Sequence, residues 1–96
     1  MSIVTVVAKL IVHEAAVENV KTELLKLIEP TRIEEGCIEY RLHQDNDDPK
    51  VFIFFEMWEN LACLEQHMTT PHFNSYIAAV EGMIAEKAVH KMTRIA

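Results

Sequence analysis

The chain has 96 residues, half of them apolar, with a formal charge of −6 and only two glycines and three prolines. That length makes one domain spanning residues 1–96, able to bury about 60–65% of the surface its unfolded form would expose. The composition excludes a disordered chain, and an acidic balance without a basic stripe argues against nucleic acid or an anionic membrane as partner.

No apolar run approaches the roughly 18–20 residues that span a bilayer. The opening residues Met1-Ser2-Ile3-Val4 carry no basic n-region of a signal peptide. The expected location is therefore the cytoplasm. In that reducing compartment Cys37 and Cys63, which lack CxxC spacing, are expected to be small core hydrophobes and not a disulfide.

Residues 3–12 are β-branched and free of breakers, and predict a first strand. Val4, Val6, Ala8, Leu10 and Val12 lie on one face; Ile3, Thr5, Val7, Lys9 and Ile11 lie on the other. Both faces are largely apolar. Residues 14–29 change to helical period, with Val17, Val20, Leu24, Leu27 and Ile28 as the stripe. Pro30 ends or kinks that helix, Thr31 to Glu35 can add a turn, and Gly36 suits a chain reversal.

Residues 37–44 alternate, placing Ile38, Tyr40 and Leu42 opposite Glu39, Arg41 and His43. The polar turn Asp45-Asn46-Asp47-Asp48-Pro49 leads into a third strand over 50–58, making a hairpin. Asn60 is a plausible N-cap for a helix over 61–69. Thr70-Pro71 then restarts a helix, with Thr70 as cap and Pro71 in the first helical position. Phe73, Tyr76, Ile77, Val80 and Ile84 follow at helical spacing, and 87–95 reads as a fourth strand.

The order β-α-β-β-α-β predicts an α+β, ferredoxin-like fold with an antiparallel sheet and its helices on one face. The other face is too apolar to stay wet, at about 25 cal/mol per Å². The simplest cover is a second copy packed sheet to sheet, so a homodimer is expected.

Four segments carry a family resemblance: Glu29-Pro30-Thr31-Arg32, Glu35-Gly36-Cys37 with Tyr40 and Leu42, Phe54-Phe55-Glu56-Met57-Trp58-Glu59, and His67-Met68-Thr69-Thr70-Pro71-His72-Phe73. Together they resemble the antibiotic biosynthesis monooxygenase family, nearest to its small quinol monooxygenase branch. The resemblance covers essentially the whole chain; the Glu-x-Trp-Glu and His-x-x-Thr-Pro-His-Phe segments are its specific parts. It implies a dimeric α/β barrel of two ferredoxin-like protomers with a pocket in each between sheet and helices. It also implies oxidation of a small aromatic molecule, a phenol or quinol, by dioxygen without metal, flavin or nicotinamide. Family members that tailor polyketides share the tryptophan here numbered Trp58 but keep an asparagine where this chain has Phe54. Haem-degrading members use an asparagine near the end of the first strand, and residues 5–12 hold none.

Such chemistry needs a base, an apolar chamber and donors for a developing oxyanion. His67 is the first candidate base, since histidine titrates near neutrality and the family's helix turns this position towards the pocket. The blander reading of His67 is a helix-surface residue. His72 is the second candidate base; it stands at a helix start, where the helix dipole favours its neutral form, and local packing there is the competing reading. Trp58, Phe54, Phe73 and Tyr76 are the candidate substrate-binding residues, with ordinary core as the alternative for each. Glu56 shares a strand face with Trp58 and must be paired or protonated if buried, with Arg41 or Lys9 as available partners. His43 is expected at the dimer face, and His13 and His90 in solvent.

His67 and His72 are separated by a predicted helix break and lack HExxH spacing, so no metal site is expected; two glycines leave no phosphate cradle to build, and the resemblance implies no cofactor. Two other functions stay open. One is an isomerase or other proton-transfer enzyme using the same pocket; the other is a non-catalytic, small-molecule-binding stress-response dimer.

Overall fold

Strand β1, Val4–Val12, runs through the middle of a four-stranded sheet in the computed structural model, which describes residues 2–96. It pairs antiparallel with β3, Val51–Trp58, on one side and with β4, Ile84–Met92, on the other. Strand β2, Cys37–Gln44, closes the far side of β3 through the predicted hairpin, giving the sheet order β2-β3-β1-β4. This is the ferredoxin-like α+β topology, all antiparallel, with the first and third strands at the centre.

The helices cover one face. A 3-10 turn at Glu14–Ala16 leads into α1, Val17–Lys26, followed by the short α2, Ile28–Arg32. The predicted helix over 14–29 is thus divided, and its division falls where Pro30 requires it. A proline ring clashes with the carbonyl four residues earlier, here that of Lys26, the last residue of α1. Pro30 itself sits in the first turn of α2, where its missing N–H costs nothing.

After β3 come α3, Leu61–His67, and α4, Pro71–Ala79. Both caps are made as expected. Asn60 accepts the Cys63 N–H at 2.9 Å, and Thr70 accepts that of Phe73 at 3.3 Å. Helix α4 stops before Ile84. Gly82 takes a φ of +80°, which ends the helical run, and Ile84 becomes the first residue of β4 and not the last of the helical stripe. The fourth strand accordingly begins earlier than residues 87–95.

The core lies between helices and sheet. Val6, Leu10 and Val12 of β1 and Phe52, Phe54 and Trp58 of β3 meet Val20, Leu24 and Leu27 of the first helical pair. Leu64, Tyr76 and Val80 close it from the other side. The opposite sheet face carries Val7, Ile11, Val51, Ile53, Phe55 and Met57, half-exposed in the single chain with no helix over them. Arg41 and Glu39 pair with each other at 2.9 Å on that face, and Lys9 lies there too, so neither cation can reach Glu56.

Cys37 and Cys63 are free thiols, both partly buried. Cys63 presses on Gly36, whose φ is +81°; a Cβ added at Gly36 would run into the Cys63 Sγ and stand 2.7 Å from its Cβ. Gly82 has a similar φ of +80° but open space around it. Gly82→Ala should therefore lose about 1–2 kcal/mol, the left-handed penalty alone. Gly36→Ala should lose roughly 1–3 kcal/mol more through overpacking. Urea unfolding of the two variants measures the difference, and equal losses would refute the tight packing at Gly36.

Candidate functional site

The inward sheet face and the broken helix α3–α4 enclose a cavity of about 130 Å³. That is close to the size of engineered apolar cavities of about 150 Å³ that accept benzene, so it suits a single aromatic ring. Val6, Ala8 and Leu10 of β1 form its floor, with Tyr40 and Phe54 beside them. Phe73, Tyr76 and Ile77 of α4 form the roof, and Lys87 and Val89 of exposed β4 mark its edge. Only two lining side chains besides Lys87 and the tyrosines bring titratable chemistry, His67 and Glu56.

His67 ends α3 and is 2% exposed. Its ring lies against Trp58 at 5.0 Å between centroids, Phe73 at 5.1 Å and Tyr40 at 5.6 Å. Nδ1 is 2.8 Å from a carboxylate oxygen of Glu34. A carboxylate in that place favours the tautomer with the proton on Nδ1, which leaves Nε2 as the nitrogen available to a ligand in the cavity. Burial lowers the pKa of His67, and the hydrogen bond and charge of Glu34 only partly oppose that. The ring is thus held neutral, as an acceptor.

Glu34 lies in the turn between α2 and β2, and no sequence signal singled it out. The turn fixes it: its N–H donates to Thr31 O at 3.0 Å, and its carbonyl accepts from Cys37 at 3.2 Å. The same Glu34 oxygen lies 2.6 Å from Nε2 of His72, in the first turn of α4. The Thr70 hydroxyl stands 3.3 Å from that nitrogen. His67 and His72, set on opposite sides of a helix break, are therefore brought together by one oxygen. His67 reaches the cavity; Glu34 and His72 stand behind it.

Glu56 pairs in register with Val6 and Tyr40 on the inward face and is 5% exposed. The partner it finds is the Trp58 indole, whose N–H donates to Oε1 at 2.9 Å. Burial pushes the Glu56 carboxyl up to about 7, against the opposing effect of that hydrogen bond. Trp58, expected as a pocket wall, is fully buried and sits behind Glu56 and against His67, outside the cavity lining.

Phe54, Phe73 and Tyr76 do line the cavity. Tyr40, which carries part of the resemblance but was not among the candidate substrate-binding residues, stacks on Phe54 with centroids 4.9 Å apart. Burial, and next the nearby Glu56, raise the Tyr40 phenol; burial raises that of Tyr76 to about 12. Both stay protonated. Thr31 Oγ1 is buried without a partner in hydrogen-bond geometry, though the Tyr40 phenol lies close enough to be influenced by it.

Fold and site together define a ferredoxin-like α+β domain with an aromatic-lined cavity between sheet and helices. Residues 3–79 match the antibiotic biosynthesis monooxygenase family, and the chain belongs to it. PA3566 from Pseudomonas aeruginosa superposes with a TM-score of 0.95 at 31% identity, covering 100% of this chain and 97% of that one. "Probable quinol monooxygenase YgiN" of Escherichia coli is 31% identical over 77 residues, covering 72% of this chain and 74% of its own. The uncharacterized protein sll1783 of Synechocystis is 39% identical over 69 residues, 72% of this chain but 47% of its own. The chain thus spans about half the length of that relative. The description of the family and the name of YgiN both say monooxygenase. Among the described residues, no helix is long and apolar enough to cross a membrane.

Glu56 gives a pH signature. Its folded pKa, about 7, lies above the usual 4.5. The folded state therefore holds this proton more tightly, and the stability it contributes is present below the ordinary carboxylate pKa and lost as pH rises through about 7. The full loss is of the order of 3 kcal/mol at 1.36 kcal/mol per pH unit. His67, with its lowered pKa, acts in the opposite sense. Glu56→Gln keeps an acceptor for the indole and should unfold at a higher temperature than wild type at pH 8, the gain shrinking towards pH 5. Thermal unfolding of both proteins across that range tests this; a constant difference would show that Glu56 does not titrate there.

Proposed function

We propose that the protein oxidises a small phenol or quinol with dioxygen, drawing its electrons from the substrate alone. The observation carrying this reading is the neutral, carboxylate-backed imidazole of His67 on the wall of an otherwise aromatic cavity sized for one ring. The name borne by YgiN supports the substrate class.

Triplet dioxygen reacts slowly with closed-shell organic molecules, whereas a phenolate can give it one electron. His67 Nε2 takes the phenol proton, and Glu34 steadies the imidazolium that forms. The phenolate reduces dioxygen to superoxide, and the radical pair joins at a ring carbon as a hydroperoxide. Loss of the proton on that carbon and cleavage of the O–O bond leave a new carbonyl and release water. One oxygen atom enters the product and the other leaves as water, so no external reductant is consumed. Phe54, Phe73 and Tyr40 keep water from the anion, and the protonated Tyr40 and Tyr76 phenols are donors for the developing oxyanion. His72, one step removed behind Glu34, supports the base in this reading and is not itself the base.

A second reading follows from Glu56. A proton-holding carboxyl and a neutral imidazole on one cavity wall can move a proton between two atoms of a substrate without oxygen, as an isomerase does.

Oxygen uptake with a panel of hydroquinones and phenols tests the first reading. His67→Ala should lower kcat by about 10²–10⁴-fold. Equal rates would remove His67 as base, and turnover under nitrogen would favour the isomerase.

The reading includes a homodimer that buries the half-exposed apolar sheet face of Val7, Ile53, Phe55 and Met57. A charge at the centre of that face should separate the protomers. Sedimentation velocity should find wild type as two chains and Phe55→Glu as one; a wild-type monomer would reject this assembly.

A further inference from the structure

We propose that Glu34, His67 and His72 form a binding site for a divalent transition-metal ion of the zinc class. This goes beyond the oxygenase reading and does not depend on it. The donors come from three places in the chain: the turn before β2, the end of α3 and the first turn of α4. One ligand atom of each lies within 4.8 Å of the other two. Two imidazoles and one carboxylate form a donor set that suits zinc and its transition-metal neighbours, and not calcium or magnesium.

The three donor atoms already converge on one point. Nitrogen and oxygen ligands at about 2.0–2.1 Å from zinc in a tetrahedral array stand roughly 3.3 Å from one another. The carboxylate oxygen is now 2.8 Å from His67 Nδ1 and 2.6 Å from His72 Nε2. A tetrahedral ion asks those two contacts to open by about half an ångström and the two imidazole nitrogens, which lie within 4.8 Å of each other, to take up the same spacing.

The surroundings hold the donors in place. His67 is fixed by contacts with Trp58, Phe73 and Tyr40. The backbone of its turn holds Glu34, and the Thr70 hydroxyl lies beside His72 Nε2. The Glu34 side chain is 12% exposed and that of His72 24%, so an ion can enter from the His72 side without crossing the aromatic cavity.

Occupancy would alter the cavity. A metal on Nδ1 of His67 displaces the proton to Nε2, so the nitrogen that accepts from a ligand becomes one that donates to it. Metal and base catalysis by His67 are then mutually exclusive, and the site acts as an inhibitory one.

The test is direct binding to the full chain after chelation and desalting, read by the visible d–d absorption of Co²⁺. One Co²⁺ per chain, displaced by Zn²⁺, is expected. Loss of an outer-shell partner typically lowers metal affinity about 10–100-fold, so Glu34→Gln and His72→Gln, each removing a ligand, should weaken binding at least tenfold. His13→Gln and His90→Gln, both exposed and outside the cluster, should bind as wild type does. Absence of a Co²⁺ spectrum at millimolar metal overturns the site, as does unchanged binding in both cluster variants. Should those variants unfold by circular dichroism, anomalous scattering from a zinc-soaked wild-type crystal decides. A peak between the three donors supports the site, and a peak elsewhere or none overturns it.

Discussion

A single carboxylate oxygen, on Glu34, meets the imidazoles of both His67 and His72. The site depends on this contact more than on any other. It ties the turn before β2 to the broken helix on the far side of the sheet's hairpin. Each histidine alone would be a partly apolar ring looking for a hydrogen-bond partner. The carboxylate gives both the same partner and so fixes the angle at which α4 leaves α3. It also settles which nitrogen of His67 is left for the cavity. Charge-assisted bonds of this kind are among the stronger ones inside a protein, and on the His67 side this one is covered by Trp58, Phe73 and Tyr40.

The pattern of residues made most of the fold legible. Alternation in 37–44 and 50–58, the Asn60 and Thr70 caps and the β-branched run of the first strand correspond to observed elements because each depends on local chemistry. The misplaced features had causes that act at a distance or through one backbone angle. Ile84 continued the helical spacing, yet Gly82 in a left-handed conformation had already stopped the helix. Pro30 was expected to break the helix at its own position, while the break falls at Lys26, whose carbonyl the ring would strike.

The site was legible only in part, for the same physical reason. His67, Phe54, Phe73 and Tyr76 lie on elements whose orientation follows from periodicity, and all four reach the cavity. Glu34 lies in a turn, where no period applies, and its importance arises only when the chain folds back across sequence separations of 33 and 38 to the two histidines. Spacing along the chain counted only the residues between His67 and His72. It had no access to the third donor. Glu56 shows a related limit. Its strand face was readable, but its partner, Trp58, lies two residues along the same face, whereas charge counting pointed to Arg41 and Lys9 across the sheet.

Trp58 has one more consequence. It is the chain's only tryptophan, and its indole N–H is bound to the carboxyl that titrates near neutrality while its ring touches His67. Indole emission responds to hydrogen bonding, to nearby charge and to quenching by a neighbouring protonated imidazole. The protein therefore carries its own fluorophore between Glu56 and His67. Intrinsic fluorescence, free of contributions from any second tryptophan, becomes a direct optical record of the state of those two groups as a ligand enters.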